Sequence, residues 1–263
     1  GAWSGTQQAS GTLEVTPTAA GASTYTLICS GAGFAGSATG SATLTVQAAS
    51  AYTITPLVED FAGNAARTTD PLLVNPWGLA YGPTTGIWVA NNHSESSSIY
   101  DGNGRPSPLV AHFAPGASFD PTGIVFNGTR SFVVGAGTQT GPAAFIFAGE
   151  GGMIAAWAPA LNTPEAVTVF TASDGAVYKG LAIASSADGD FLYAADFANG
   201  KIDVLDAMFT KQPATAATFA FSDPSLPAGY GPFGIQAIKN GAGGATQIYV
   251  SYAKHDASEP NDD

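Results

Sequence analysis

Charged side chains are scarce in this chain of 263 residues, of which only 11% are Asp, Glu, Lys or Arg. The 8 basic residues are outnumbered by 20 acidic ones, so the formal net charge is −12. Proteins that bind nucleic acid displace counterions from the phosphate backbone with a basic surface. The composition therefore argues against nucleic acid as a partner.

Cysteine occurs once, at Cys29, so the chain cannot form a disulfide within itself. Two interpretations stay open for this residue: a small buried hydrophobe, or one half of a disulfide whose partner lies outside this sequence. A catalytic thiol is disfavoured, because the nearest histidine in sequence is His93 and nothing local would lower the thiol pKa.

Catalytic motifs are missing as well. The sequence contains no His-Glu-x-x-His, no Gly-x-Ser-x-Gly and no paired cysteines, which argues against zinc proteases, α/β-hydrolases and structural zinc sites. The three histidines, His93, His112 and His255, are far apart in sequence, which disfavours a histidine metal site.

Long apolar runs are also lacking, since the longest, residues 141–158, is interrupted by Glu150 and several glycines. No segment has the length that a transmembrane helix needs. The chain begins with Gly1 rather than Met and opens within a strand-like pattern, so we expect a trimmed or processed N terminus. Little Lys and much Thr, Ser, Ala and Gly resemble secreted bacterial surface proteins, which predicts a secreted or cell-surface location.

A short glycine motif recurs at intervals of roughly 50 residues, the size of one blade in a β-propeller. Its clearest copy is the stretch Asn75–Tyr81, with the sequence NPWGLAY. Weaker copies occupy residues 120–126, 178–184 and 231–237, and the marker glycines are Gly78, Gly123, Gly180 and Gly234. The recurrence predicts an all-β chain folded as a β-propeller.

Further strand-like runs follow each glycine motif, separated by turn residues. The second strands of the four units are predicted to end, in chain order, at Asn91, Gly135, Asp196 and Tyr252. Residues 52–263 accommodate about four blades of roughly 50 residues each. We expect Tyr52–Val58 to complete the last blade of a closed ring. The fourth blade is unfinished in this sequence, so either the ring continues in a longer parent or a partner chain covers the open edges.

The first 47 residues carry alternating runs at Gly11–Val15, Ser23–Cys29 and Ser41–Val46, which predict antiparallel strands. Together with Trp3, these runs resemble the C-terminal half of a bacterial immunoglobulin-like domain. We therefore expect a partial immunoglobulin-like β-sandwich at 1–47, a linker at 48–51 and the propeller at 52–263. The glycines of 31–36 match a dinucleotide-binding pattern, but a strand rather than a helix follows, which predicts a hairpin turn.

The run Leu192–Asp206 resembles the blade repeat of NHL-type propellers. Four stretches, at 52–58, 70–80, 100–104 and 250–257, together resemble the conserved hypothetical propeller proteins associated with the PEP-CTERM surface-sorting system. The resemblance implies a secreted propeller of roughly six blades, of which about four are present here. It brings no established catalytic residues.

Polar residues at the predicted ends of second strands are candidate ligand-binding residues of the propeller's loop face. The candidates are Asn91, Asn92, Asp196, Lys254 and Asp256. Propeller lactonases that resemble the gluconolactonase group hold a divalent cation near the axis, and Glu59, Asn91 and Asp196 are the residues that fit such a role. Asn and Asp are also common as turn caps at strand ends, which is the favoured interpretation. Trp77, Trp88 and Trp157 are read as core residues rather than as a sugar-binding platform.

The acidic segment 255–263 carries carboxylate oxygens of the kind that bind Ca²⁺. It lacks the glycine and the fixed spacing of a calcium loop, so a solvated loop is favoured. No cofactor is predicted, with Ca²⁺ or another divalent cation as the alternative.

Three hypotheses for function follow from the sequence. The preferred one is a secreted or cell-surface interaction module that binds a protein or a surface polymer. The second is a metal-assisted lactonase or esterase that uses Asn91, Asp196 and Glu59. The third is a structural subunit that assembles through the open edges of its sheets.

Overall fold

The computed structural model describes residues 19–30, 37–46, 54–114, 118–214, 219, 221, 225–241 and 244–256. In these residues the regular elements are β-strands and two short 3₁₀ turns, Asn92–Ser94 and Pro159–Leu161, so the predicted all-β class is confirmed. The chain divides into two compact units, Gly1–Ile54 and Thr55–Asp263. No helix in the described residues is long and apolar enough to cross a membrane.

In the described residues of the first unit, β1 (Gly21–Ser30) pairs antiparallel with β2 (Ser37–Val46). Its alternating Thr-rich sequence suits a pleated ribbon, and the hydroxyl groups of Thr24 and Thr43 lie 3.2 Å apart across the strands. The strands predicted at 23–29 and 41–46 are therefore confirmed. The predicted run Gly11–Val15 and the turn at 31–36 lie outside the described residues, and the immunoglobulin-like sandwich stays a prediction.

The second unit opens with two short parallel strands, β3 (Val58–Glu59) and β4 (Thr68–Thr69). The first antiparallel sheet follows, in the order β5-β6-β7-β8. Its strands are β5 (Pro76–Ala80), β6 (Ile87–Asn91), β7 (Ser96–Tyr100) and β8 (Ala111–His112). These are the four strands that the first repeat predicts.

The second sheet has the order β14-β13-β12-β9, with an inserted hairpin of β10 and β11. The six strands are β9 (Pro121–Phe126), β10 (Val133–Ala136), β11 (Gln139–Pro142), β12 (Phe145–Gly149), β13 (Met153–Trp157) and β14 (Val167–Thr171). The prediction that the second strand of this unit ends at Gly135 is wrong, because Gly135 belongs to the inserted hairpin. The second strand is β12, which ends at Gly149.

The third and fourth sheets have three and two strands in the described residues. The third comprises β15 (Tyr178–Ser186), β16 (Gly189–Asp196) and β17 (Lys201–Leu205). The fourth comprises β18 (Tyr230–Lys239) and β19 (Thr246–Lys254). Tyr252 pairs with Pro232, and β19 continues beyond the predicted end to Lys254.

The expected closing strand is not formed by the described part of the stretch before the first sheet. Residues 54–57 are not in a strand, and Val58–Glu59 pairs with Thr68–Thr69 instead of with β18 or β19. Tyr52 and Thr53 lie outside the described residues. Within the described part of the chain, the four sheets therefore form a series without a shared closing sheet.

The marker glycines explain how the four sheets pack in this series. A Cβ atom on Gly78 would lie 2.5 Å from the carbonyl oxygen of Thr122, and one on Gly123 would lie 2.5 Å from the amide nitrogen of Leu181. Only glycine lets the first strands of neighbouring sheets approach this closely. The repeated glycine is therefore a packing requirement of the fold.

Aromatic and aliphatic side chains fill the spaces between neighbouring sheets. Trp88 of the first sheet stacks on Phe145 of the second at 4.2 Å between ring centroids. Trp88 is buried, and Trp157 packs partly buried against the same cluster, as predicted for core residues. A second cluster joins the second and third sheets, and a third joins the third and fourth.

Candidate functional site

First and second strands of each sheet are antiparallel, so the start of one lies beside the end of the other. The pairs at this edge are Pro76 with Asn91, Pro121 with Gly149, Tyr178 with Asp196, and Tyr230 with Lys254. We call the surface formed there the axial face. It is defined by the residue before each marker glycine and the residue after each second strand: Trp77, Thr122, Lys179, Phe233, Asn92, Glu150, Phe197 and His255.

A buried polar chain joins the first three sheets at the axial face. The Asn92 Nδ2 donates a hydrogen bond of 3.0 Å to the Glu150 Oε2, and the other carboxylate oxygen of Glu150 pairs with the Lys179 ammonium. The Lys179 and Glu150 side chains are 0% and 2% exposed. Because a buried charge without a partner is strongly destabilising, this pair must stay together.

Aromatic rings continue these contacts to the fourth sheet. The Lys179 Nζ lies 4.8 Å from the ring centroid of Trp77 and 5.8 Å from that of Phe233, within the range of cation–π attraction. The Trp77 and Phe233 rings are 5.6 Å apart. Phe197 contacts Phe233 edge-on at 5.6 Å and stacks on His255 at 5.0 Å. Residues from all four sheets thus form one continuous constellation.

A cavity of about 280 Å³ adjoins this constellation and follows the first strands of the sheets. Its lining includes Trp77, Lys179 and Phe233 together with the marker glycines. At Gly78, Gly123 and Gly180 the space of a side chain is taken by main-chain atoms of the next sheet, so the groove runs along closely spaced strands. The cavity therefore combines apolar surface, main-chain polar groups and two half-buried aromatic rings. This is the usual composition of a ligand site.

Two carboxyl groups meet at the boundary between the first and second sheets. The Asp120 amide donates to both carboxylate oxygens of Glu95, each at 3.2 Å. Burial raises the pKa of Glu95, and the neighbouring Asp120 charge adds to that rise, whereas the backbone hydrogen bonds oppose it. Glu95 and Asp120 both adopt positive φ angles, 49° and 46°, which are uncommon for residues other than glycine.

The predicted site residues Asn91 and Asn92 are both fully buried but have different roles. The Asn91 Nδ2 donates to the hydroxyls of Ser96 and Ser98 at 3.2 and 2.8 Å, so its hydrogen bonds stay within the first sheet. Asn92 reaches the second sheet through Glu150. Of the two predicted residues, only Asn92 takes part in the contacts that cross the axial face.

Asp196 is fully buried and belongs to an ionic network at the edge of the third sheet. Its carboxylate pairs with Lys201 and accepts a 2.9 Å hydrogen bond from Asn199. Lys201 also lies 2.9 Å from Asp203, and Lys211 lies 2.7 Å from the second oxygen of Asp203. Burial alone would lower the pKa of Lys201, but its hydrogen bonds to the Asp196 and Asp203 carboxylates raise it above its ordinary value.

Three carboxylates of this network, Asp174, Asp196 and Asp203, have the geometry of a metal-binding group, since their oxygens lie within 4.8 Å of one another. The ammonium groups of Lys201 and Lys211 already lie between them. A divalent cation would therefore have to displace two lysines. Asp196 is thus placed in a cluster of three carboxylates whose negative charge is largely offset by two lysines of the protein.

The remaining predicted residues lie apart from this cluster or at the surface. The Glu59 carboxylate accepts a 2.8 Å hydrogen bond from the Asn64 amide and lines a separate cavity, and the described contacts do not join it to Asn91 or Asp196. Lys254 ends β19 at the axial edge, and Asp256 follows two residues later. Both are exposed, and the residue between them, His255, is the one that joins the aromatic contacts.

Glu150 and Lys179 are the two charged axial residues that sequence reasoning missed. Each is an isolated charge in an apolar run, and Glu150 interrupts the longest such run. Lys179 occupies the position before its marker glycine that Trp77 occupies in the first repeat. Charged side chains are rarely buried without a partner, so a charged residue within an apolar run is the sequence feature that could have indicated both residues.

No protein-family profile matches the chain. Two proteins of Acanthamoeba polyphaga mimivirus, both described as uncharacterised, are similar in sequence. One is 32% identical over 203 residues, covering 75% of this chain and 48% of the relative. The other is 29% identical over 194 residues, covering 71% and 48%. The chain therefore spans about half the length of the curated relatives that it matches.

Solved structures with a partial likeness include two lyases. Virginiamycin B lyase from Staphylococcus aureus has a TM-score of 0.40 at 15% identity, over 61% of this chain and 44% of that one. A streptogramin B lyase has a TM-score of 0.41 at 12% identity, over 68% and 55%.

Proposed function

We propose that this chain is a secreted or cell-surface interaction module, part of a β-propeller of the surface-sorting type, which binds a protein or surface polymer at the axial face. One observation carries the proposal: repeat-equivalent residues of four sheets meet in one constellation beside a cavity of about 280 Å³. Ligands of propeller-like arrays are held where several blades contribute side chains, so that no single blade forms the site.

The chemistry of the axial face favours binding over catalysis. Its buried charges, Glu150 and Lys179, neutralise each other, and Asn92 is hydrogen-bonded to the same carboxylate. What it offers a ligand is shape, two half-buried rings and main-chain groups. A net charge of −12 repels polyanions, so the partner is neutral or basic.

The test fills the groove without disturbing the core. Gln236 is exposed and lines the cavity, so Gln236→Trp places a large ring in the groove. Met208 is 80% exposed and does not line the groove, which makes Met208→Trp the matched control. Binding is measured on an array that carries neutral oligosaccharides and basic extracellular proteins. We expect Gln236→Trp to abolish binding that the control retains; equal binding by both variants would contradict an axial site.

A metal-assisted lactonase or esterase is the second candidate, and the Asp174, Asp196 and Asp203 carboxylates favour it. Elemental analysis of the purified protein and a screen of lactones and esters test it. One bound divalent cation per chain, with turnover that is lost in Asp203→Asn, would replace the interaction module by the enzyme. If neither a bound cation nor turnover is found, the enzyme hypothesis is rejected and the carboxylates serve only in ion pairs with the lysines.

A structural subunit is the third candidate. In the described residues the outer edge of β19 is unpaired, and Leu79 and Tyr81 at the first sheet are 66% and 72% exposed. Unpaired edges and exposed apolar side chains favour assembly with another chain. Light scattering across a concentration series tests this candidate, and a well-folded monomer throughout would rule it out.

A further inference from the structure

We propose that the axial face contains a saccharide subsite, between the third and fourth sheets, that takes one neutral pyranose unit. This inference rests on the proposed function, because it names the ligand class of the same face. The subsite is a cavity of about 460 Å³ lined by Phe197, Asn199, Gly200, Tyr230, Gly231 and His255.

Aromatic rings form the apolar part of this cavity, and ring stacking and a backbone hydrogen bond fix the position of His255. The His255 ring lies parallel to the Phe197 ring, with 5.0 Å between centroids and 11° between planes. The His255 amide donates a 2.7 Å hydrogen bond to the Gly229 carbonyl, which attaches this segment to the loop before β18. Tyr230 is 39% exposed, so its ring is accessible to a ligand.

The polar part of the cavity consists of an amide and uncovered main chain. Asn199 donates to the Asp196 carboxylate at 2.9 Å and to the Asp174 carbonyl at 3.3 Å, which fixes the orientation of its amide. Gly200 and Gly229 are exposed and add backbone groups without side chains to cover them. A pyranose presents an apolar face of C–H groups and a rim of hydroxyls, which matches rings on one side and amide and main-chain groups on the other.

The charges near the cavity select a neutral sugar. The Asp196 carboxylate is paired with Lys201, and Lys201 contacts Asp203 and Asp174 as well. Lys211 pairs with Asp203 and Asp174 too, so the network holds three carboxylates and two ammonium groups and keeps a net negative charge at this wall. The net charge of −12 on the whole protein would also repel an acidic sugar. The subsite therefore excludes acidic polysaccharides by charge and accepts neutral hexose units by stacking.

The experiment uses the full chain and an array of neutral oligosaccharides of glucose, mannose, galactose and N-acetylglucosamine, with titration calorimetry of each hit. Tyr230→Ala and His255→Ala remove ring surface from the cavity. Tyr249→Ala is the matched control, because Tyr249 is 49% exposed and does not line the cavity. Circular dichroism verifies that all variants are folded. We expect each cavity variant to bind about five- to tenfold more weakly, and the control to bind like the parent.

The outcomes separate this inference from the function on which it rests. Saccharide hits that both cavity variants retain at full affinity would overturn the subsite. Binding to array proteins that is lost in Gln236→Trp, with no saccharide bound, would overturn the subsite and keep the interaction module. Binding to no probe at all would overturn both.

Discussion

Glu150 and Lys179 form a buried ion pair that joins the turn after β12 to β15, and so joins the second sheet to the third. The hydrogen bond from Asn92 extends the same contact to the first sheet. Desolvation makes such a pair a weak source of stability in itself, while the loss of one partner is costly. The pair therefore acts as a constraint on how three sheets meet at the axial face.

The first prediction concerns the removal of one member of this pair. Lys179→Met removes the ammonium that pairs with the buried Glu150 carboxylate, so we expect a loss of about 3–5 kcal/mol in the free energy of unfolding. The double variant Lys179→Met with Glu150→Gln restores most of that loss. Urea unfolding measures both, and Lys239→Met, at an exposed lysine, is the control. An equal effect of Lys179→Met and the control would show that the pair is not required.

The second prediction concerns pH. Burial, with the Asp120 charge, raises the pKa of Glu95 above its ordinary value of 4.5, so the folded state binds a proton at this carboxyl more tightly than the unfolded state does. The contribution of this group to stability is therefore greatest below that ordinary value and is lost as pH rises through the folded pKa. We expect Glu95→Gln to gain stability relative to the parent near neutral pH and to lose that advantage as pH falls.

Urea unfolding at a series of pH values measures this difference. Glu165→Gln is the control, since Glu165 is exposed. A constant difference between Glu95→Gln and the parent at every pH would contradict the assignment.

The third prediction tests the role of the marker glycines. A Cβ on Gly123 would lie 2.5 Å from the Leu181 amide nitrogen, so Gly123→Ala must push the second and third sheets apart. We expect a loss of about 1–3 kcal/mol, as for overpacked cores. Gly102→Ala is the matched control, because its Cβ would have no atom within 4 Å. Thermal unfolding that is unchanged in Gly123→Ala would refute close packing of the first strands.

The fourth prediction concerns the ionic network of the third sheet. Asp203 is 3% exposed, pairs with Lys201 and Lys211, and accepts a 2.8 Å hydrogen bond from the Tyr178 hydroxyl. Asp203→Asn removes the charge that these donors share, and we expect a loss of about 1–3 kcal/mol. Asp188→Asn, at an exposed turn residue, should leave the chemical unfolding midpoint unchanged. An unchanged free energy of unfolding in Asp203→Asn would mean that the network does not stabilise the fold.

Sequence reasoning located most strands because alternation and turn residues are local signals. It failed in the second repeat, where the short run around Val133 looks like a second strand but forms an inserted hairpin. Both patterns have the same period of two, so the sequence cannot distinguish a strand of the main sheet from one of a separate ribbon. The same limit explains why the sequence pattern predicts a strand end at Gly135, whereas the second strand ends at Gly149.

The sequence predicted where the candidate site lies better than it predicted which residues form it. The ends of the second strands do lie at one edge, as the antiparallel repeat requires. Asn91 and Asp196 form hydrogen bonds within their own sheets. The contacts between sheets are formed by Asn92, Glu150 and Lys179. Which polar group faces a neighbouring sheet depends on sheet packing, which one strand does not encode.

By itself, the sequence determined the all-β class, the approximate period of the repeats and the glycine at the same position of each first strand. These are local properties, because strand alternation, turn chemistry and the space that a glycine leaves act over a few residues. Only the tertiary structure decided that Glu150 meets Lys179 and that Lys179 lies near the rings of Trp77 and Phe233. Such contacts join residues of different sheets, and desolvation makes their charges depend on partners that only the folded chain brings into reach.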